Sequence, residues 1–354
     1  MDVGQRLQRP TIGTVAAQAR VSIKTVSRVL NNSSCVTQAT RDRVLSVIRE
    51  LRFSPSPTAR RLAGHRSQLI GLPFDSSAAR YVTEVQMGSL PTFLAANYQV
   101  VHHACDACAP DIVDEIVMFV QRVRVDGLIL TPPLSHMDAL IEALQAQAVP
   151  FVSIASVRRK DLSRSVFTNE REACAAMVGQ LAADGHDRIG FVMGSPDCTV
   201  AEQRYLGYLD GLRQADLPVL PTLVKRGADS VASGLACGRE LLTQRHGARP
   251  TAIFACNDEM AAGVLRAAHD LRIDVPGELS VAGCEDSPIA SQIWPRLTTI
   301  RQPIRAMAER AAVLLMAQLL GQAHSTEGRA PLQLVESALI RRQSTARVTQ
   351  VRAA

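Results

Sequence analysis

The chain has 354 residues, 47% of them hydrophobic and only 4% aromatic, and a net charge of +6 at pH 7. That length predicts one small module plus a large domain or two subdomains. So few aromatic rings, with a single tryptophan at Trp294, argue against a platform that binds single-stranded nucleic acid by base stacking. No charged N-terminal region leads into an apolar run, and no apolar stretch reaches about 18 residues, so neither secretion nor membrane spanning is indicated. Eight cysteines are scattered at positions 35, 105, 108, 174, 198, 237, 256 and 284, mostly within apolar or Ala-rich runs. Buried free thiols in a reducing cytoplasm are the expectation.

Residues 1–66 hold twelve Lys and Arg against three Asp and Glu, a net of +9, which leaves −3 for residues 67–354. Positive charge gathered on one short segment is the footprint of a phosphate-binding module. Within it, Thr11 predicts an N-cap for a short helix with Ile12, Val15, Ala16 and Ala19 at core spacing. Arg20 and Val21 follow, and Ser22 caps a second helix, Ile23–Asn31, with Val26, Val29 and Leu30 facing inward. Lys24, Thr25, Ser27 and Arg28 stay outside. Helix, tight turn and helix in about twenty residues is the helix-turn-helix plan, whose second helix lies in the major groove. A third helix is predicted from Thr37 to about Leu51. Ser54-Pro55-Ser56-Pro57 then imposes an extended turn, and Ser56 can cap a two-turn helix over 57–63 that is too short to stand alone in water.

These blocks resemble the lactose/galactose-repressor family. The matching residues are Thr11-Ile12-x-x-Val15-Ala16, Val21-Ser22-x-x-Thr25-Val26-Ser27-Arg28-Val29-Leu30-Asn31, Val36-Thr37-x-x-Thr40-Arg41-x-x-Val44, and the run Phe53–Gly64. The chain departs from the family at Arg20, where a glycine usually takes a left-handed turn; a small stability cost is expected there. The resemblance implies DNA contacts from Thr11, Ile23, Lys24, Thr25, Ser27, Arg28 and Asn31, and from Ala59 and Leu62 in the hinge, with Leu62 as a minor-groove wedge. It implies a helix-turn-helix headpiece over 1–55, a hinge helix and linker over 56–66, and a body over 67–354. It also implies a homodimer on a palindromic operator.

From residue 69 the sequence alternates short apolar runs with helical patterns. Strands are predicted at Leu69–Leu72, Gln99–His103, Gly127–Leu130 and Phe151–Ile154, with helices near 78–96, 110–123 and 136–147. A second set follows at Ile189–Met193, Thr222–Lys225, Ala252–Ala255 and Leu279–Ala282, with helices near 170–183, 199–214, 230–244 and 258–271. Such alternation means parallel sheets covered by helices, in two similar lobes, with ligand at the carboxyl ends of the strands. The fold class is therefore α/β in two lobes behind an all-α headpiece, and the body resembles the periplasmic-binding-protein-like architecture that the repressor family carries. The first lobe is expected over about 67–165 and 296–325, the second over about 166–295 and 326–345. The tail after Ile340 has no leucine heptads, so the tetramer-forming zipper of some relatives is missing.

The resemblance also carries over four small-molecule contacts, Asp75, Arg204, Asn257 and Glu285. A planar guanidinium forks onto hydroxyls or a carboxylate, Asn offers both donor and acceptor, and a carboxylate accepts two hydroxyls. Glu285 stands where the family usually has Asp. The aromatic platform near Gly227 is replaced by Asp229, Ala155-Ser156 stands where many relatives place Asp, and Thr168-Asn169-Glu170 replaces an Asp-rich segment. A carbohydrate effector is expected by analogy. No cofactor is expected. Neither a G-x-S-x-G elbow nor a P-loop nor H-E-x-x-H is present, so an enzyme is not the expected class. His102-His103-Ala104-Cys105-Asp106-Ala107-Cys108 lacks the second ligand pair of a structural zinc site and is expected to be a strand end and loop. Two rival readings remain open: a sugar-binding or sugar-modifying protein with an incidental basic arm, and a repressor of the same family that needs a purine or other corepressor.

Overall fold

The structure, a computed structural model, describes residues 10–30, 33, 35–51, 53, 66–76, 79–155, 164–195, 199–245, 247–321 and 334–348. They fall into two compact units, one up to Ser67 and one from Gln68 onward. Asn31, Ala59, Leu62 and the expected hinge helix lie outside the described residues.

The first unit holds α1 (Ile12–Ala19), α2 (Ile23–Leu30) and α3 (Gln38–Glu50). Thr11 caps α1 reciprocally with Thr14: each backbone N–H donates to the other's hydroxyl, at 3.2 and 3.3 Å. Ser22 Oγ accepts from Thr25 N at 3.1 Å at the start of α2. Between the helices Arg20 sits at φ 52°, ψ 49°, the left-handed conformation that favours glycine. The three helices close on Val15, Ala16, Ala19, Val26, Val29, Val44, Val47 and Phe53.

The second unit contains two sheets. The first has strand order β2-β1-β3-β4-β5 and is wholly parallel, from β1 (Leu69–Asp75), β2 (Gln99–Cys105), β3 (Gly127–Leu130), β4 (Phe151–Ala155) and β5 (Ser165–Phe167). One face packs with α4 (Ala79–Ala95) and a late helix, α12 (Ile304–Leu319), around Ile70, Val85, Phe93, Ile129 and Leu315. The other packs with α5 (Ile112–Val123) and α6 (Asp138–Ala146) around Ile116, Phe119, Leu128, Leu140 and Phe151. The second sheet has order β11-β10-β9-β8-β6-β7, from β6 (Ile189–Met193), β7 (Val224–Arg226), β8 (Ala252–Ala255), β9 (Ser280–Glu285), β10 (Thr298–Arg301) and β11 (Ala338–Ile340). Only its β10–β11 pair is antiparallel. α7 (Glu170–Ala183), α8 (Thr199–Gln214), α9 (Val231–Leu242), α10 (Asp258–Asp270) and the short α11 (Pro288–Gln292) complete this lobe. Strands buried on both faces read as unbroken apolar runs, which is why most were visible in sequence.

The structure moves several expected boundaries. β9 runs three residues past Ala282, because Gly283, Cys284 and Glu285 continue the ladder against Thr299, Ile300 and Arg301. β7 begins at Val224, after a 3-10 turn at Pro221–Leu223. β10 belongs to the second sheet, so the return to the first lobe falls at Gln302-Pro303 and not near 296. Likewise β5 keeps the chain in the first sheet until Phe167. A third crossing spans 335–337, between a bridge of Leu334 to Phe167 and strand β11.

The crossings are laced together. Val335 N donates to Phe167 O at 2.9 Å, Ser337 N to Asn169 Oδ1 at 2.8 Å, and the Thr168 and Ser337 hydroxyls are 2.9 Å apart. Gln302 on the second crossing donates to Glu170 at the end of the first.

Candidate functional site

The outer face of α2 is the first site. Val26 and Val29 are buried, whereas Lys24 and Arg28, one turn apart, are exposed, and Thr25 and Ser27 are half-buried beside them. Ile23, the first helical residue, keeps 55% of its surface exposed although it is apolar. Thr11 is exposed at the start of α1. An exposed aliphatic group and Lys24 in the first turn, with Arg28 in the last turn of the same face, suit base edges and phosphates in a major groove.

The second site lies at the carboxyl ends of the strands in the second unit. Arg204, on α8, is buried. Its Nε donates to Glu170 Oε1 at 2.6 Å, and its Nη1 donates to Cys256 O at 2.6 Å and to Glu285 Oε1 at 3.1 Å. Burial alone would lower the guanidinium pKa, but the nearby Cys284, Glu170 and Glu285 raise it well above its ordinary value. Glu285 ends β9 at φ 109°, and Asp286 follows at φ 53°. Two consecutive non-glycine residues at positive φ mark a strained turn that carries the Glu285 side chain to Arg204.

Asn257 caps α10: its Oδ1 accepts from Met260 N at 2.8 Å, and its Nδ2 donates to Asp229 Oδ1 at 3.3 Å. Asp229, exposed, also accepts from Ser195 N at 2.9 Å. Asp75 ends β1 and takes a different place, accepting from Ala107 N at 2.9 Å within the first lobe. Thus Arg204 and Glu285 meet directly, Asn257 adjoins them through its neighbour Cys256, and Asp75 braces the loop at Ala107.

Sequence reasoning missed Glu170, Gln302 and Tyr81. Glu170 is 1% exposed, and Gln302 Nε2 donates to its two oxygens at 3.0 and 2.8 Å. Tyr81, on α4 of the first lobe, has its phenol pKa raised by burial and then by the charges of Glu170 and Glu285. The signal for Glu170 was present but read as a departure, because a carboxylate at a helix start is ordinarily a solvated N-terminal charge. Beneath the cluster, Asp258 is fully buried and accepts from Ser287 N and Thr299 Oγ1, each at 2.6 Å; burial still pushes its pKa up to about 7.

The His-His-Ala-Cys-Asp-Ala-Cys segment forms the end of β2 and a turn. His103 Nε2 lies 2.7 Å from Glu115 and its ring stacks on Phe119, while buried Cys105 donates to Phe74 O. Among the described residues no group of three or more His, Cys, Asp or Glu is arranged to hold a metal, and no helix is long and apolar enough to cross a membrane.

A basic helix-turn-helix unit attached to a two-lobed α/β body, with a charged cluster at the strand ends, defines a DNA-binding regulator of the ligand-controlled kind. Residues 11–56 match the family described as bacterial regulatory proteins, lacI family, and residues 178–345 match the periplasmic binding protein-like domain. The chain is 30% identical over 336 residues to the HTH-type transcriptional regulator AscG of Escherichia coli (strain K12), covering 94% of this chain and 98% of that protein. It is 32% identical over 318 residues to the HTH-type transcriptional repressor PurR of Yersinia pestis bv. Antiqua (strain Antiqua), covering 88% and 91%. Its fold is similar to the lac repressor dimer bound to operator and the anti-inducer ONPF, with a TM-score of 0.81, 28% identity and coverage of 96% and 100%. It is also similar to the transcriptional regulator CelR–cellobiose complex, with a TM-score of 0.69, 28% identity and coverage of 95% and 100%. The chain belongs to the lacI family of bacterial regulatory proteins, and is a DNA-binding transcriptional regulator controlled by a small ligand.

Proposed function

We propose that the protein is a cytoplasmic, homodimeric repressor of a palindromic operator, and that the ligand which controls it is a carbohydrate bound at the Arg204–Glu285 cluster. It acts by binding and not by catalysis. The carrying observation is the buried Arg204 fork held between Glu170, Glu285 and Cys256 O at the strand ends. A guanidinium flanked by carboxylates supplies fixed donors and acceptors for paired hydroxyls, and the Asn257–Asp229 pair adds one more of each. The structural relative in complex with cellobiose supports the sugar class. Asp75 is the first-lobe contact on this reading.

On DNA, Lys24 and Arg28 meet phosphates, Ile23, Thr25 and Ser27 face base edges, and Thr11 contacts the backbone at the start of α1. Asn31, Ala59 and Leu62 complete the DNA contacts, and Leu62 is the apolar wedge pushed into the minor groove. Thermal-shift titration of the full chain with cellobiose, ribose and purine bases tests the ligand class. A neutral sugar is expected to raise the melting temperature of the wild type, and Arg204→Ala to abolish that rise. Stabilisation by a purine base and by no sugar would transfer the site to the corepressor reading.

A further inference from the structure

Of the two carboxylates bonded to Arg204, Glu170 is the more deeply buried, and its position in the chain is unusual. It is the first residue of α7, directly after the crossing at Thr168-Asn169. Its bonding partners come from three other segments. Arg204 Nε on α8 donates at 2.6 Å, Cys284 Sγ on β9 at 3.6 Å, and Gln302 on the second crossing at 3.0 and 2.8 Å. Its chain neighbour Asn169 accepts from Ser337 on the third crossing at 2.8 Å. One buried carboxylate therefore touches the ligand cluster on one side and Gln302 of the second crossing on the other, directly follows the first crossing in the chain, and reaches the third through its neighbour Asn169.

Neutralising Arg204 does not require this arrangement, because Glu285 already faces the same guanidinium. Nor does it account for Gln302, whose amide grips both carboxylate oxygens. A buried carboxylate cannot exchange a lost protein partner for water, so a shift at one partner is felt at the others. We propose that Glu170 is the positioning residue that ties the ligand site to the inter-lobe hinge: what displaces the Arg204 fork alters the hold of Glu170 on Gln302 and on the laced crossings. The inference rests on the reading of Arg204 as a ligand residue. When a ligand takes the fork, the pull on Glu170 changes, and Gln302 joins that residue to the segment between β10 and α12. Those two elements belong to different lobes.

The test is hydrogen exchange on the full chain without ligand, so that its outcome is separate from that of the sugar titration. The reporters are the Val335 and Ser337 amides, which donate to Phe167 O and Asn169 Oδ1 in the lacing. Arg204→Lys keeps a charge but loses the fork, and Arg204 meets the lacing through Glu170, with Val335 and Ser337 not among its hydrogen-bond partners in the described residues. It is expected to speed exchange at both reporters by about tenfold, as Gln302→Ala is, while Val152 and Ile154 in the first-lobe core stay protected. Because both changes break one path, the double variant is expected to exchange within about twofold of Gln302→Ala alone. Should Arg204→Lys fail to fold, the near-isosteric Glu170→Gln takes its place in the same cycle. Reporter amides within about twofold of wild type, or single effects that multiply in the double variant, would overturn the proposal.

Discussion

Asp258 and Arg20 show how single residues carry a measurable cost of their positions. Asp258 is buried, hydrogen-bonded to Ser287 N and Thr299 Oγ1, and titrates near pH 7 where an unfolded aspartate titrates near 3.9. Its folded pKa is raised, so between about pH 4 and 7 the folded chain binds a proton that the unfolded chain does not. The contribution of Asp258 to stability therefore falls as pH rises through that window, by on the order of 1–4 kcal/mol in all. Asp258→Asn presents a neutral amide in the same space, with Oδ1 facing Ser287 N and Nδ2 facing Thr299. Urea unfolding at pH 5 and pH 8 is expected to show the variant gaining on the wild type as pH rises; an equal difference at both pH values would mean that Asp258 is ionised throughout. Arg20 holds a left-handed backbone in the turn between α1 and α2. Arg20→Gly is expected to stabilise the headpiece by about 1 kcal/mol, read as slower amide exchange in α1 and α2. Unchanged or faster exchange would show that the arginine side chain offsets the strain.

The elements that could be read from sequence are those whose own residues decide them. α1 and α2 announce themselves through Thr11, Ser22 and an inward face of Val15, Ala19, Val26 and Val29, and the buried strands through continuous apolar runs. β10 and β11 were not legible as strands: Thr298–Arg301 and Ala338–Ile340 are short and mixed, and exist because β9 offers an edge on which β10 builds. The cluster was half legible for a related reason. Arg204 matches a family pattern and Glu285 stands where that pattern usually has Asp, whereas Glu170 and Gln302 acquire their meaning from two crossings 132 residues apart in sequence. The pairing of α4 with α12 is equally non-local. A Cβ at Gly88 on α4 would lie 2.2 Å from Arg305 O and 2.9 Å from Ala308 Cβ on α12. Gly88→Ala must push these helices apart and is expected to cost about 1–3 kcal/mol, measured as a lower urea midpoint. A midpoint equal to that of the wild type would show that the two helices separate freely.

At the scale of the whole molecule, charge divides as function does. The net of +9 on residues 1–66 and −3 on the remainder confines phosphate attraction to the small unit. If a dimer makes about 6–10 phosphate contacts, affinity falls roughly 10³–10⁵-fold between 50 and 200 mM salt. A flat salt curve would take the basic segment off the phosphates. Sequence-specific recognition of DNA is assigned to the headpiece, and selection from a pool of random duplex DNA measures it. The full chain is predicted to enrich a dyad-symmetric sequence, and residues 68–354 alone to enrich none. Failure of the full chain to enrich any sequence, or enrichment of the same sequence by residues 68–354, would contradict the account.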